Sequence, residues 1–276
     1  MKFTPKPVDG DVNLSGKHPL REAVWLVAEL LVILALLYFV FGFVAQFVAV
    51  RLPVKAEIWI GSKLEAKYQA HTDAFLQDHL DRLVRELPAD SPLHEYSFKI
   101  FLDDSKKINA FALPGGSIVV FQGLLNTVRS ENELDMVLAH ELGHFYHRDH
   151  LRAMGRNLLL FLVARLLPGD QSPDLVLWLA GKFERRYSQK QELAADSWGL
   201  DLLYRRYGHV GGATDFFRRL SQKNKSHLAY FLATHPHPED RLNSLNRIIE
   251  EKHYPVGETV PFSSGQKEKL GSGAAH

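Results

Sequence analysis

The sequence predicts a mainly α-helical domain with a small β-sheet, carried behind one N-terminal transmembrane helix. Three observations carry this: a nearly uncharged apolar run close to the N-terminus, three short β-like segments before position 122, and helical patterning from there to about residue 253. A length of 276 residues suits one domain of ordinary size plus an appendage.

Residues 1–22 are polar and rich in Pro, Gly and Lys, and read as a mobile arm that cannot bury a core. From Ala23 to Val50 the only charge is Glu29, and Leu30 to Ala49 supplies the roughly 20 apolar residues needed to cross about 30 Å of hydrocarbon. Residues 23–50 are therefore assigned as a membrane span. The run is longer than the apolar part of a secretory signal, and no small-residue cleavage site precedes Arg51. Trp25 and Glu29 fall near one boundary, where an aromatic ring and a snorkelling charge are tolerated. Lys2, Lys6, Lys17 and Arg21 precede the span and Arg51, Lys55, Lys63 and Lys67 follow it, so positive charge gives no orientation. The short arm is the poorer cargo for export, which places the domain on the extracytoplasmic side.

Residues 51–254 form the soluble domain. A helical stretch is expected near 63–87, with Leu76, Leu80, Leu83, Val84 and Leu87 on one face and Pro88 ending it. Segments 97–102, 109–113 and 117–121 read as strands, the last two separated by Pro114-Gly115-Gly116. Ser130 with Glu133, and Ser188 with Gln191, have the spacing of capping boxes that open helices. The apolar stretches Leu158–Leu167 and Leu175–Ala180 are too short to span a bilayer; they can dip into its surface or pack on the domain, and packing is the expectation. Residues 255–276 read as a disordered tail.

Composition narrows the chemistry. Lys plus Arg (33) and Asp plus Glu (32) nearly cancel, which excludes the basic field typical of nucleic-acid binding. Without cysteine there are no disulfides, thiolate metal sites or cysteine nucleophiles, so any metal must be held by His and carboxylate. In the run VLAHELGHFYHRDH, His140 and His144 stand one helical turn apart, so two imidazoles can share one ion. Zinc accepts such ligands, and a catalytic site uses three protein ligands so that the fourth position holds water. Glu141 then borders that water and can take its proton. A third ligand is required. The helix expected at 188–203 presents Glu192 and Asp196 four apart, one able to bind metal and the other to support it; orienting a histidine through its second ring nitrogen suits Asp196. An alternative third ligand is His150, at the position of a metzincin histidine. His147, however, occupies the place of the glycine on which that chain reversal depends.

The blocks NAFALPGGSIVVFQGLL (109–125), AHELGH (139–144), ELAAD (192–196) and THPHPEDRL (234–242) occur in an order that resembles the HtpX and CAAX prenyl endopeptidase family of gluzincin zinc proteases. That family includes periplasmic and mitochondrial membrane quality-control enzymes, and the resemblance spans roughly 63–252. It implies a zincin-like α+β fold and one zinc ion at His140, His144 and Glu192. Catalysis would fall to Glu141, support to Asp196, and His235 and Arg241 would lie near the site, where a donor can stabilise an oxyanion. It implies endopeptidase action on unfolded or damaged membrane-proximal proteins. It also favours Ser117–Phe121 as an exposed edge strand that pairs with substrate backbone. The rivals are an inactive, protease-like membrane adaptor or chaperone, which has no use for an intact Glu141, and a metal sensor, which needs a closed ligand set.

Overall fold

The computed structural model describes residues 19–65, 72–153, 155, 187–222, 231–232, 234–236 and 238–266. The chain divides into two units, residues 1–44 and 45–276. The apolar run forms one helix, α1 (Pro19–Ala49), with Pro at its first turn, where a missing N–H costs nothing. Its large apolar side chains, among them Leu31, Ile33, Leu37 and Phe43, are exposed along the helix. A helix of this length and composition can cross a membrane, and every backbone group inside it is satisfied internally.

In place of one helical stretch over 63–87 there are two helices, α2 (Val54–Glu65) and α3 (Ala74–Arg85), with 66–71 outside the described residues. Asp73 starts the second by accepting a hydrogen bond from the Leu76 N–H at 2.9 Å, and Leu76, Leu80 and Leu83 fill the core. Three strands follow, β1 (Lys99–Asp103), β2 (Ala110–Leu113) and β3 (Ser117–Phe121). The sheet order is β1-β3-β2, with β1 parallel and β2 antiparallel to β3. Ser117–Phe121 is thus the middle strand, not an edge. All five of its residues are buried, as a strand paired on both sides and packed on both faces requires. Gly115 and Gly116 take φ of 88° and 96° in the β2–β3 turn, a region closed to most side chains.

After the short α4 (Gln122–Leu125) come, among the described residues, the helices α5 (Glu131–Tyr146), α6 (Gln189–Tyr207), α7 (Asp215–Gln222) and α8 (Pro238–Glu251). Ser130 caps α5 by accepting from the Glu133 N–H, while the Glu133 carboxylate accepts from Arg129. Ser188 and Gln191 form the full reciprocal box on α6. Helix α5 is buried on every face from Asn132 to Phe145, the position of a central core helix. Residues 255–266, read from the sequence as part of a disordered tail, lie against the start of α5. Val260 accepts from Glu131 N–H at 2.9 Å and donates to Asn132 Oδ1 at 2.7 Å, Pro261 bridges Ser130, and Phe262 is buried beside Phe75. The open N–H of Glu131 and the Asn132 side chain, both in the first turn of α5, give this segment its partners. Residues 158–180 and 267–276 lie outside the described residues.

A buried carboxylate ties α2 to the rest of the domain. Glu57, fully buried, accepts from the Tyr96 hydroxyl at 2.8 Å, the Gly115 N–H at 3.1 Å, Arg148 at 2.9 Å and His150 Nε2 at 2.7 Å. Burial alone raises this carboxyl, but the bond and charge of His150, with Gly115 and Arg148, outweigh it and hold it at about 2. Because the folded value lies below the unfolded one, the contribution is complete above the ordinary value of 4.5 and is lost as pH falls towards about 2. Glu57→Ala is expected to lower the unfolding free energy by about 3–5 kcal/mol, since it strands a buried partner. Thermal unfolding of the detergent-solubilised chain measures this; a loss no larger than that of the exposed Glu95→Ala would refute it.

Candidate active site

Helices α5 and α6 pack with almost no side chain between them. A Cβ on Gly143 would stand 2.9 Å from the Ala195 carbonyl oxygen, and one on Gly199 would stand 3.0 Å from the His140 nitrogen. This contact lets a carboxylate on α6 reach two imidazoles on α5. His140 Nε2 and His144 Nε2 face each other at 3.1 Å, and Glu192 places Oε2 3.7 Å from the first and Oε1 3.4 Å from the second. His235, in the turn before α8, brings Nδ1 to 3.1 Å from Glu192 Oε1 and 3.4 Å from His140 Nε2. One ligand atom from each of these four buried residues lies within 4.8 Å of all the others.

The outer nitrogens of the α5 pair are already committed. His140 Nδ1 meets Asp196 Oδ1 at 2.8 Å, and Asp196 is gripped by Arg241 through Nε at 2.7 Å and a terminal nitrogen at 2.6 Å. His144 Nδ1 meets Asp149 Oδ2 at 3.1 Å. Each carboxylate holds a hydrogen on Nδ1, so the Nε2 atoms, which face each other, are the positions left for a metal. Such a donor set fits a zinc-sized cation. Arg241 also pairs with Glu192 Oε2 at 2.7 Å and lies over the Phe217 ring at 4.3 Å. Glu141 sits beside the cluster with Oε1 3.7 Å from His235 Nε2, and its Oε2 is buried with no hydrogen-bond partner among the described residues. A buried carboxylate oxygen without a partner is costly, so its place in an apolar-walled pocket with His140, Ala110 and Phe231 calls for a ligand.

The sequence profile of Peptidase family M48 matches residues 70–249, which contain this whole constellation. The chain belongs to peptidase family M48. It is 32% identical over 186 residues to the mitochondrial metalloendopeptidase OMA1 of Arabidopsis thaliana, covering 66% of this chain and 38% of that one. It is 28% identical over 204 residues to the human OMA1 metalloendopeptidase, with 68% and 38% covered. To the beta-barrel assembly-enhancing protease of Escherichia coli strain K12 it is 27% identical over 215 residues, with 72% and 44% covered. The chain thus spans about two fifths of the length of these curated relatives. Membership of M48, a metallopeptidase family, implies a metal cofactor.

Charges in the M48 site are arranged for that cofactor. Burial would raise Glu192, but Arg241, His235 and His144 hold it well below the ordinary carboxylate value, so it stays anionic. Burial and then the Arg241 charge lower His140, which keeps it neutral. His144 goes the other way: burial lowers it, yet Asp149 and Glu192 push it up to about 9, so a metal entering the site displaces a proton there. The four residues named for the metal and for catalysis on α5 and α6, with Asp196, His235 and Arg241, all converge here. His150 does not join them; it points to Glu57. Two neighbours were not foreseen. Asp149 supports His144, and Tyr187 stacks on the His144 ring at 3.8 Å and 17°. Asking which carboxylate fixes each histidine would have drawn attention to Asp149.

Proposed function

We propose that the chain is a membrane-anchored zinc metalloendopeptidase, with α1 as its anchor and residues 51–254 as its peptidase domain. Its substrates are unfolded or damaged proteins near a membrane, in membrane or envelope protein quality control, with the domain on the extracytoplasmic side. The observation that carries this reading is the convergence of His140, His144 and Glu192 beside the partnerless oxygen of Glu141.

One zinc ion per chain would be held by Nε2 of His140, Nε2 of His144 and the Glu192 carboxylate. When bound there, zinc supplies a Lewis acid that polarises a peptide carbonyl and acidifies a water. Glu141 takes that water's proton and delivers it to the departing amine. His235 Nε2, 3.7 Å from Glu141, donates to the carbonyl oxygen as charge builds on it. Arg241 keeps Glu192 ionised and holds Asp196 against His140. Ala110 of β2, an edge strand among the described residues, lines the pocket with Glu141, which would bring an extended substrate beside that strand and give affinity with little sequence preference.

Metal content and casein cleavage by the detergent-solubilised full chain test this reading. Zinc near one equivalent, with cleavage abolished by chelator and restored by zinc, is expected; zinc without cleavage would favour an inactive adaptor. The fourth donor, His235, supports a second reading, a closed four-ligand site of the kind a metal sensor uses. His235→Asn separates the two. The peptidase reading expects zinc to be retained and cleavage to fall by about 10²–10³-fold, whereas the closed site expects zinc to be lost.

A further inference from the structure

The exposed face of α2 carries Lys55, Ile58, Trp59, Ser62 and Lys63, at the spacing of a single helical stripe. All are exposed, Ile58 by 39% and Trp59 by 45%. The opposite face, with Glu57, Ile60 and Gly61, is buried. Two apolar groups, one of them an indole, flanked by lysines at both ends match the composition of helices that lie in the headgroup layer. The lysine stems can lie along the apolar strip while their ammonium groups reach lipid phosphates. Arg51, also exposed, adds a third positive charge on the approach to α2.

Position along the chain supplies the second argument. Helix α1 ends at Ala49 and α2 begins at Val54. Even a fully extended link covers at most about 18 Å, and here it is shortened by turn bonds from Arg51 N–H to Val48 O and from Leu52 N–H to Ala49 O. With Leu30 to Ala49 as the stretch inside the hydrocarbon, α2 begins within or beside the headgroups. A surface tethered this closely does not need high intrinsic affinity, because the helix never leaves its lipid neighbours.

We propose that α2 is an interfacial helix: Ile58 and Trp59 sit at the headgroup boundary of the bilayer, Lys55 and Lys63 face anionic lipid, and Glu57 transmits that seating to the domain. The proposal rests on reading α1 as a membrane span. The transmission is rigid. Glu57 accepts from Gly115 in the β2–β3 turn and from Arg148 and His150 just after α5. Arg148 also donates to the carbonyls of Val50 and Leu52 at the start of the link. Gly61 lies so close to the same turn that a Cβ would stand 2.0 Å from the Pro114 oxygen. The pose of α2 on the lipid is therefore the pose of the hairpin and of the end of the histidine-bearing helix, and it favours substrates that emerge at the membrane surface.

The absence of cysteine allows clean single-site labelling of the full chain. Ile58→Cys, Trp59→Cys, Ile33→Cys in α1 and Arg247→Cys on the exposed side of α8 are spin-labelled. Each is reconstituted in phosphatidylcholine vesicles with and without phosphatidylglycerol. Power saturation with oxygen and a water-soluble nickel chelate reads depth. Labels at 58 and 59 are expected to show an oxygen-to-nickel ratio at least about threefold that at 247, as befits the headgroup boundary. Lys55→Glu with Lys63→Glu should lower that ratio only in the anionic vesicles. A deep label at 33 with 58 and 59 as open to nickel as 247 overturns the interfacial helix and leaves the anchor standing. Nickel access at 33 overturns the anchor and, with it, this proposal. Labels at 58 and 59 that are shielded from both probes and dipolar-broadened place a second copy on this face instead of lipid, which also overturns it.

Discussion

Replacing Glu141 by glutamine is expected to leave zinc bound and the domain folded while lowering peptide cleavage by about 10²–10⁴-fold, the range for loss of a positioned general base. The change is nearly isosteric. Its Oε2 has no hydrogen-bond partner among the described residues, so no bond seen there is broken. The amide cannot accept the proton that a carboxylate can. Cleavage should fall in kcat with KM little changed, because the role belongs to the transition state. Cleavage within tenfold of the parent, at equal zinc content, would remove Glu141 from the mechanism.

The second large effect concerns the metal. Glu192→Ala is expected to lose most of its zinc and all measurable cleavage, because it removes the carboxylate that closes the site between His140 and His144 and leaves Arg241 facing them. His150→Ala should keep its zinc. Its imidazole is spent on Glu57, so the cost falls on folding stability. Asp196→Ala and Asp149→Ala, which free the outer nitrogens of His140 and His144, should fall between, with about 10–100-fold weaker metal binding. Zinc analysis of the four purified variants decides the matter: a full site in Glu192→Ala beside an empty one in His150→Ala would assign the third ligand to the wrong helix.

What the sequence disclosed is what depends on neighbours close in the chain. His140, Glu141 and His144 occupy one turn and a half of one helix, and the Ser130 and Ser188 caps are three-residue relations, so both could be read directly. Asp149 was hidden by the turn that delivers it. Arg148 takes the left-handed φ of 56° usually left to glycine, and its guanidinium is held by Val50, Leu52 and Glu57 far back in the chain. Nothing in the local pattern announces such a reversal. The same reason hid the hub at Glu57, whose partners lie up to 93 residues away. Strand order is likewise non-local: the apolar content of Ser117–Phe121 marks a strand, but only its pairing with both β1 and β2 puts it in the middle.

The glycine contacts between α5 and α6 bear on how the domain gains and gives up its ion. Backbone meets backbone at Gly143 and Gly199, so the spacing of the two helices is set by the main chain and by the surrounding core. A cation cavity framed this way is expected to keep its shape when emptied, unlike small fingers that remain unfolded until they are loaded. Filling and emptying it would then be exchange events within a standing scaffold. A chelator is expected to strip the domain without unfolding it, with the helical circular dichroism unchanged and zinc taken up again by the same molecules.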